Sequence, residues 1–228
     1  MKDIFLVDTD DTILDFHKAS NLAIKDAFEK GQVPWQESFA DSYKKINDGL
    51  WLQLEKKEIT REQLIESRFS IYLKYVNVDI DANSFNQNYL TYLATHPIFV
   101  DGAQDFLKKL NGLGRVFIVT NGTWRIQKSR FDICGLWDYA EDVFVSQRIG
   151  FDKPAKGYTE YVESHIPEYK KERAVCIGDS LSADIKASNE ANITSIWFNP
   201  TKKENKGDIK PDYIAENFEE VLKVIKIL

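Results

Sequence analysis

A short apolar stretch near the start of the chain ends in a cluster of acidic residues. Ile4–Val7 is followed by Asp8, Asp10 and Asp11. Carboxylates this close repel one another and resist burial, so they need a stabilising partner. A divalent cation is the usual partner, and it serves chemistry on an anionic substrate. The spacing therefore predicts a metal-assisted site where the first strand ends.

Later apolar stretches are also followed by residues that suit this chemistry, namely Thr120, Asn121, Gly122, Lys153, Asp179 and Asp184. Asp8, Asp10 and Asp179 offer the hard oxygen ligands that Mg²⁺ prefers. Thr120, Lys153 and the backbone amides that follow Thr120 offer hydrogen bonds and positive charge to a phosphoryl group. A carboxylate becomes a useful nucleophile once a cation and a lysine offset its repulsion from an incoming dianion.

The predicted strands are short and apolar, and helical segments separate them. The strands cover residues 4–7, 116–119, 143–145, 174–177 and 195–198, with a weaker one at 213–214. Short buried strands that alternate with helices predict a Rossmann-like, mostly parallel α/β sheet. Ligands of such sheets bind at the carboxyl ends of the strands, which is where the polar residues named above fall.

Residues 16–97 have a different pattern, in which apolar and aromatic residues recur at helical spacing. Thr60 and Gln63 form the pattern of a capping box, which starts one of these helices. Because the first strand must join the later sheet, this helical segment is predicted to be an insertion. We therefore expect an α/β core of residues 1–15 and 98–228 with an inserted α-helical cap.

Composition and charge narrow the classes of function. The net charge is −6 and there is no basic stripe, so we expect no nucleic-acid polymer as a partner. The chain has no signal-peptide pattern at its start and no apolar stretch that could span a bilayer, so we expect no membrane association. Cys134 and Cys176 are distant and have apolar neighbours, which favours reduced thiols in a cytoplasmic protein. Its scattered histidines argue against a zinc site or a Ser/His/Asp triad.

The ordered motifs resemble those of the haloacid dehalogenase superfamily, in its phosphatase branch, over essentially the whole chain. Asp-x-Asp-x-Thr from Asp8 is similar to the first family motif, Thr120 to the second and Lys153 to the third. Gly-Asp-Ser-x-x-x-Asp around Asp179 is similar to the fourth. Each motif follows a predicted strand, and the helical insertion is similar to the family's cap.

The resemblance also implies a role for each residue. Asp8 would be the nucleophile that forms an aspartyl-phosphate, and Asp10 would protonate the leaving oxygen and then activate water. Thr120 and Lys153 would hold the transferring phosphoryl group. Asp179 would bind Mg²⁺ with Asp8 and the backbone carbonyl of Asp10, and Asp184 would support them. Asp10 argues against dehalogenation, because the dehalogenase members lack this second acidic residue.

The cap is similar to that of the bacterial pyrimidine and noncanonical nucleoside 5′-monophosphatases of this superfamily. The similarity lies mainly in Asn47, Leu50-Trp51, Glu58-Ile59-Thr60, Leu64 and Arg68-Phe69. It implies a nucleoside monophosphate as substrate, with Asn47, Trp51 and Arg68 as candidate binding residues in addition to Asn121 and Gly122. Trp51 and Phe69 are also open to a simpler interpretation as core residues of the cap.

Several alternatives remain open at this point. The small-molecule phosphomonoester could instead be a sugar or acyl-sugar phosphate, and a phosphomutase would share the same core. A phosphoacceptor signalling module also gathers acidic residues, Thr or Ser, and Lys around Mg²⁺. Such a module is typically smaller and needs no helical insertion. The sequence indicates no particular oligomeric state.

Overall fold

The computed structural model of the protein describes residues 2–228, which include a sheet of six parallel strands. The strands are β1 (Ile4–Val7), β2 (Arg115–Thr120), β3 (Asp142–Val145), β4 (Ala174–Gly178), β5 (Thr194–Phe198) and β6 (Tyr213–Ala215). Their order across the sheet is β3-β2-β1-β4-β5-β6, so β1 lies in its interior. Every predicted strand is present, and the predicted Rossmann-like α/β fold class is confirmed.

Strand β1 is buried on both faces because its side chains alternate between two apolar layers. Phe5 and Val7 belong to one buried cluster, whereas Ile4 and Leu6 belong to the other. This burial explains why β1 is a continuous apolar run, as is typical of interior strands in parallel sheets. The carboxyl end of β1, followed by Asp8, therefore lies between neighbouring strands rather than at an edge of the sheet.

The α-helices of residues 2–228 are α1 (Phe16–Lys30), α2 (Ser38–Glu55), α3 (Arg61–Tyr75), α4 (Ala82–Leu93), α5 (Ala103–Asn111), α6 (Trp124–Cys134), α7 (Ser146–Ile149), α8 (Lys156–His165), α9 (Lys186–Ala191) and α10 (Phe218–Ile227). A π-helical turn, Leu181–Ile185, leads directly into α9. None of these helices has both the length and the apolar character needed to cross a bilayer.

The chain divides into two compact units. One unit consists of the residues up to Asp15 together with Phe99–Leu228 and contains the sheet. The other, Phe16–Ile98, contains α1 to α4. In this helical unit the predicted capping box is present, with the side chains of Thr60 and Gln63 each bound to the other's backbone N–H.

The core of the helical unit is mainly aromatic. Ring centroids lie 4.7 Å apart in the Phe28–Phe85 pair and 5.5 Å apart in the stacked Tyr43–Phe69 pair. Aromatic pairs at such distances stabilise a fold by about 0.5–1.5 kcal/mol beyond their buried area. Phe69 is 1% exposed, so its interpretation as a core residue is confirmed.

Candidate active site

The carboxyl ends of three adjacent strands bring predicted site residues together. Asp8 directly follows β1, Thr120 is the last residue of β2, and Asp179 directly follows β4. Strands β2 and β4 are the two neighbours of β1 in the sheet. Residues that are far apart in the sequence therefore meet at one end of the sheet, as expected for ligand sites in this fold class.

Lys153 belongs to the segment after α7, and all three hydrogen-bond donors of its ammonium group are engaged. Its Nζ donates to Oδ1 of Asp8 at 2.7 Å, to Oδ1 of Asp184 at 2.6 Å and to the carbonyl oxygen of Val119 at 2.9 Å. Burial opposes the charged form, but Asp184 and Asp8 together raise the pKa of Lys153 well above its ordinary value. The carboxyl group of Asp8 is therefore bound to a lysine that keeps its positive charge.

Three carboxylates gather beside this lysine. Asp8, Asp179 and Asp184 each place an oxygen within 4.8 Å of the others. Burial raises the pKa of Asp8 well above its ordinary value, and Asp184 and Asp179 add to this effect while Lys153 opposes it. Burial, Asp11 and Asp184 raise the pKa of Asp179 to about 8. Asp8 and Asp184 are buried, whereas Asp179 is partly exposed. Hard oxygen ligands that lie this close and repel one another form a donor set that fits a divalent cation such as Mg²⁺.

Asp184, which we expected in a supporting position, lies inside this carboxylate cluster. It is 1% exposed, and its Oδ2 accepts a hydrogen bond from the backbone N–H of Ser180 at 3.1 Å. The π-helical turn that carries Asp184 begins directly after Ser180, and such turns are frequent at functional sites. Gly178 makes room for the carboxyl group, because a Cβ at this position would clash with it. This packing gives the Gly-Asp-Ser-x-x-x-Asp spacing a structural reason.

The residues after β2 serve mainly to position other groups. Thr120 Oγ1 accepts from the backbone N–H of Gly122 at 3.1 Å and from Gln127 Nε2 at 3.0 Å. The hydroxyl thus accepts twice and keeps its own proton for donation. The side chain of Asn121 binds the backbone of Lys153 at both its amide atoms, at 2.8 and 2.9 Å. Asn121 therefore fixes the segment that carries Lys153, and a substrate contact of Asn121 or Gly122 stays a prediction.

The carboxylate of Asp10 lies outside the cluster of Asp8, Asp179 and Asp184. Its Oδ1 accepts from Nη1 of Arg130 at 2.6 Å, and its Oδ2 accepts from Nε2 of Gln127 at 2.8 Å. The predicted metal contact of Asp10, which would use its backbone carbonyl, stays a prediction.

Gln127 and Arg130 were not predicted from the sequence. Both are 1% exposed, although they are polar residues of helix α6. Their spacing of three residues, which places them on one helix face, is the signal that could have indicated a shared role.

The three predicted substrate-binding residues of the helical unit do not all lie together. Asn47 and Arg68 are buried, and Nη1 of Arg68 lies 3.5 Å from Oδ1 of Asn47. Trp51 is partly exposed, and the guanidinium carbon of Arg61 lies 5.4 Å from its ring centroid. Asn47 and Arg68 thus form a pair, whereas Trp51 is neither part of that pair nor a buried core residue.

The fold and the site define a class of hydrolase. The chain belongs to the haloacid dehalogenase-like hydrolases, whose family model matches residues 2–192. The predicted family is therefore confirmed, and so is the prediction that the protein is an enzyme.

Three bacterial proteins are similar to this chain over nearly its whole length. YfnB of Bacillus subtilis, a HAD-hydrolase by name, is 38% identical over 97% of this chain and 94% of its own. The pyrimidine 5′-nucleotidase PynA of Streptococcus pneumoniae is 33% identical, over 95% of this chain and 92% of its own. The pyrimidine 5′-nucleotidase YjjG of Escherichia coli is 25% identical, over 96% of each chain. The predicted resemblance to bacterial nucleotidases is confirmed.

A solved structure extends the likeness to three dimensions. A crystal structure of YfnB, described as bound to magnesium and as revealing interdomain movement, matches this fold with a TM-score of 0.93. The two sequences are 37% identical in this superposition, which covers 98% of both chains.

Proposed function

We propose that this protein is a magnesium-dependent phosphomonoesterase that transfers a phosphoryl group first to Asp8 and then to water. The observation that carries the proposal is the buried ion pair of Asp8 and Lys153 next to Asp179 and Asp184. A nucleophilic carboxylate, a fixed positive charge and oxygen ligands for a divalent cation are the groups that such a transfer requires.

In the first half-reaction, a carboxylate oxygen of Asp8 attacks phosphorus and the bond from phosphorus to the leaving oxygen breaks. Lys153 and the hydroxyl of Thr120 stabilise the negative charge on the other phosphoryl oxygens. Asp10, in its carboxylic acid form, donates its proton to the leaving oxygen, so that an alcohol departs. The products of this step are the alcohol, the aspartyl-phosphate at Asp8 and the Asp10 carboxylate.

In the second half-reaction, the Asp10 carboxylate takes a proton from water while the water oxygen attacks phosphorus. The bond between phosphorus and Asp8 breaks, which releases inorganic phosphate and restores the Asp8 carboxylate. Asp10 is protonated again, as it was at the start, so atoms and charge balance over the cycle.

Asp8, Asp179 and Asp184, with the backbone carbonyl of Asp10, are the groups that would hold Mg²⁺. When bound, Mg²⁺ supplies positive charge that favours the ionised form of Asp8 and offsets the charge of the phosphate. The need for such a charge is evident at Asp8, whose pKa is raised by burial and by neighbouring acids. A protonated carboxyl group is a poor nucleophile.

We further propose nucleoside 5′-monophosphates as substrates. Two relatives that align over almost the whole chain are named as pyrimidine 5′-nucleotidases, which supports this choice. The helical unit offers a suitable recognition group in Arg68, which is 6% exposed. Its guanidinium binds the amide oxygens of Asn47 and Asn86 rather than a carboxylate, and its Nε has no hydrogen-bond partner among the residues that the structure describes. A buried cation bound in this way can accept an anionic or carbonyl-bearing ligand.

A substrate panel tests the proposal. Phosphate release is measured from nucleoside 5′-monophosphates and from sugar phosphates, with Mg²⁺ and with a chelator, for the wild type and for Asp8→Asn. We expect hydrolysis of nucleotides that is lost on chelation and in the variant.

Three other results of this panel would contradict parts of the proposal. Equal turnover of sugar phosphates and nucleotides would refute the substrate assignment, and full activity of Asp8→Asn would refute the mechanism. A stable phosphorylated protein without phosphate release would identify a phosphoacceptor module instead.

A further inference from the structure

Both oxygens of the Asp10 carboxylate are held by helix α6. The ion pair joins Oδ1 to Nη1 of Arg130, and the amide of Gln127 binds Oδ2. The Arg130 side chain is 1% exposed, whereas the Asp10 side chain is 28% exposed. A buried donor group thus presents a carboxylate that remains accessible to a reacting molecule.

The two donors are also bound to each other and to Thr120. Nη1 of Arg130 donates to Oε1 of Gln127 at 2.8 Å, while Nε2 of Gln127 donates to Oγ1 of Thr120 at 3.0 Å. The Gln127 amide is therefore oriented by three partners, with its oxygen towards Arg130 and its nitrogen towards Asp10 and Thr120. A continuous hydrogen-bond network therefore links Asp10, the proposed proton donor, with the hydroxyl of Thr120, which is proposed to hold the phosphoryl group.

The residues around this hydrogen-bond network leave space for its side chains. Gly122 leaves space for the Gln127 side chain, since a Cβ on Gly122 would lie only 2.5 Å from Nε2. Nε and Nη2 of Arg130 have no hydrogen-bond partner among residues 2–228. Burying a guanidinium is costly unless it is paired, and the Asp10 carboxyl group provides the pairing charge in its ionised form, which the proposed cycle reaches between the two half-reactions. If Arg130 served only to stabilise the fold, its carboxylate partner could be fully buried, yet the side chain of Asp10 is 28% exposed.

We propose that Gln127 and Arg130 are positioning residues for Asp10. By holding both carboxylate oxygens, they restrict rotation of the group and keep it in one orientation relative to Thr120. Proton transfer needs its donor within hydrogen-bond distance of the reacting oxygen, so a loosely held carboxylate is less effective. The inference rests on the proposed phosphatase function, in which Asp10 is the proton donor.

Two aryl phosphates of similar size test this inference. Phenyl phosphate has a basic leaving group that needs a proton, whereas p-nitrophenyl phosphate has a good leaving group that departs without one. The kcat/KM of each ester reports the steps up to formation of the aspartyl-phosphate. We expect Arg130→Met and Gln127→Met to lower kcat/KM for phenyl phosphate about 10- to 100-fold, a part of the 10²–10⁴-fold that acid–base assistance supplies. The loss for p-nitrophenyl phosphate should be much smaller, because its leaving group departs without a proton.

Further variants separate positioning from a general structural effect. Arg130→Lys should recover part of the activity with phenyl phosphate, because an ammonium group can still bind one carboxylate oxygen. Arg125→Met removes an exposed arginine from the same helix and should leave both esters unaffected. If Arg130→Met fails to fold, Gln127→Met, which removes no charge, still provides the comparison.

Two outcomes would overturn the inference, namely equal losses with both esters or no loss with either. Failure of the proposed function would look different, because the wild type itself would then hydrolyse neither ester in the presence of Mg²⁺.

Discussion

At Asp179 the fold places a carboxylate where its charge is costly. Burial, Asp11 and Asp184 raise its pKa from 3.8 to about 8. A raised pKa means that the folded state favours the protonated form, so this group's contribution to stability is fully present below about pH 4 and is lost as the pH rises through about 8. Without a metal ion, the protein should therefore become less stable across this range.

We expect Asp179→Asn to reduce this loss, because asparagine has no charge to bury. Thermal unfolding in the presence of a chelator, at about pH 6 and about pH 8, would measure the effect. The Tm of the wild type should fall between the two pH values, and the Tm of the variant should fall less. Asp208→Asn, which removes an exposed carboxylate, is the matched control and should behave like the wild type. An identical fall in Asp179→Asn and the wild type would contradict the prediction.

Adding Mg²⁺ to the wild type and to Asp179→Asn gives a second test of the role of Asp179. Its addition at about pH 8 should raise the Tm of the wild type, because an ion bound only by the folded state stabilises it. The increase should be smaller in Asp179→Asn, which lacks one of the proposed ligands.

At the level of elements, the strands were predictable because their burial leaves a direct trace in the sequence. Interior parallel strands must be apolar on both faces, and β1, β2 and β4 are therefore continuous apolar runs. Residues that directly follow such strands must lie at one end of the sheet. This geometric rule predicted the positions of Asp8, Thr120 and Asp179 without knowledge of any contact.

Other features left no comparable trace. Gln127 and Arg130 are polar residues on a helix, and such residues usually face solvent, so their burial beside Asp10 could not be inferred from residue type. The π-helical turn over Leu181–Ile185 carries Asp184, whose carboxyl group packs against Gly178, and this contact is not evident from residue types.

Gly178 links the end of β4 to the position of Asp184. We expect Gly178→Ala to displace the Asp184 carboxyl group, since the added methyl group would clash with it. The change should weaken the ion pair with Lys153, lower activity and destabilise the protein by about 1–3 kcal/mol, which is typical of overpacking. Chemical denaturation and steady-state kinetics would measure the two effects.

The control is Gly49→Ala. Gly49 lies within α2, where an added Cβ would meet nothing within 4 Å. Alanine is the better helix former, so this variant should be stabilised by about 0.5–1 kcal/mol and remain active. Wild-type activity and stability in Gly178→Ala would show that Asp184 can shift without consequence.

For the whole molecule, the two units differ in how they bury charge. In the sheet unit, Lys153 and Arg130 are paired with carboxylates at 2.6–2.7 Å. In the helical unit, Arg68 is buried against the rings of Phe69 and Tyr89, at 4.7 and 5.1 Å from their centroids, and binds amides. A cation among aromatic rings is stabilised without losing its capacity to bind an anion. Under the proposed function, the sheet unit would perform the chemistry and Arg68 of the helical unit would contribute to the choice of substrate.

Arg68→Met tests this contribution, because methionine fills similar space without charge or hydrogen bonds. If Arg68 contacts the nucleotide, kcat/KM for a pyrimidine nucleoside 5′-monophosphate should fall about 10- to 100-fold, the equivalent of one hydrogen bond to a charged group. The kcat/KM for p-nitrophenyl phosphate should change little, since that ester offers no nucleoside to recognise. Lys74→Met removes an exposed positive charge from the same helix and should leave both substrates unaffected. Equal losses with both substrates would assign Arg68 to the stability of the helical unit, because a loss of folding cannot distinguish one ester from the other.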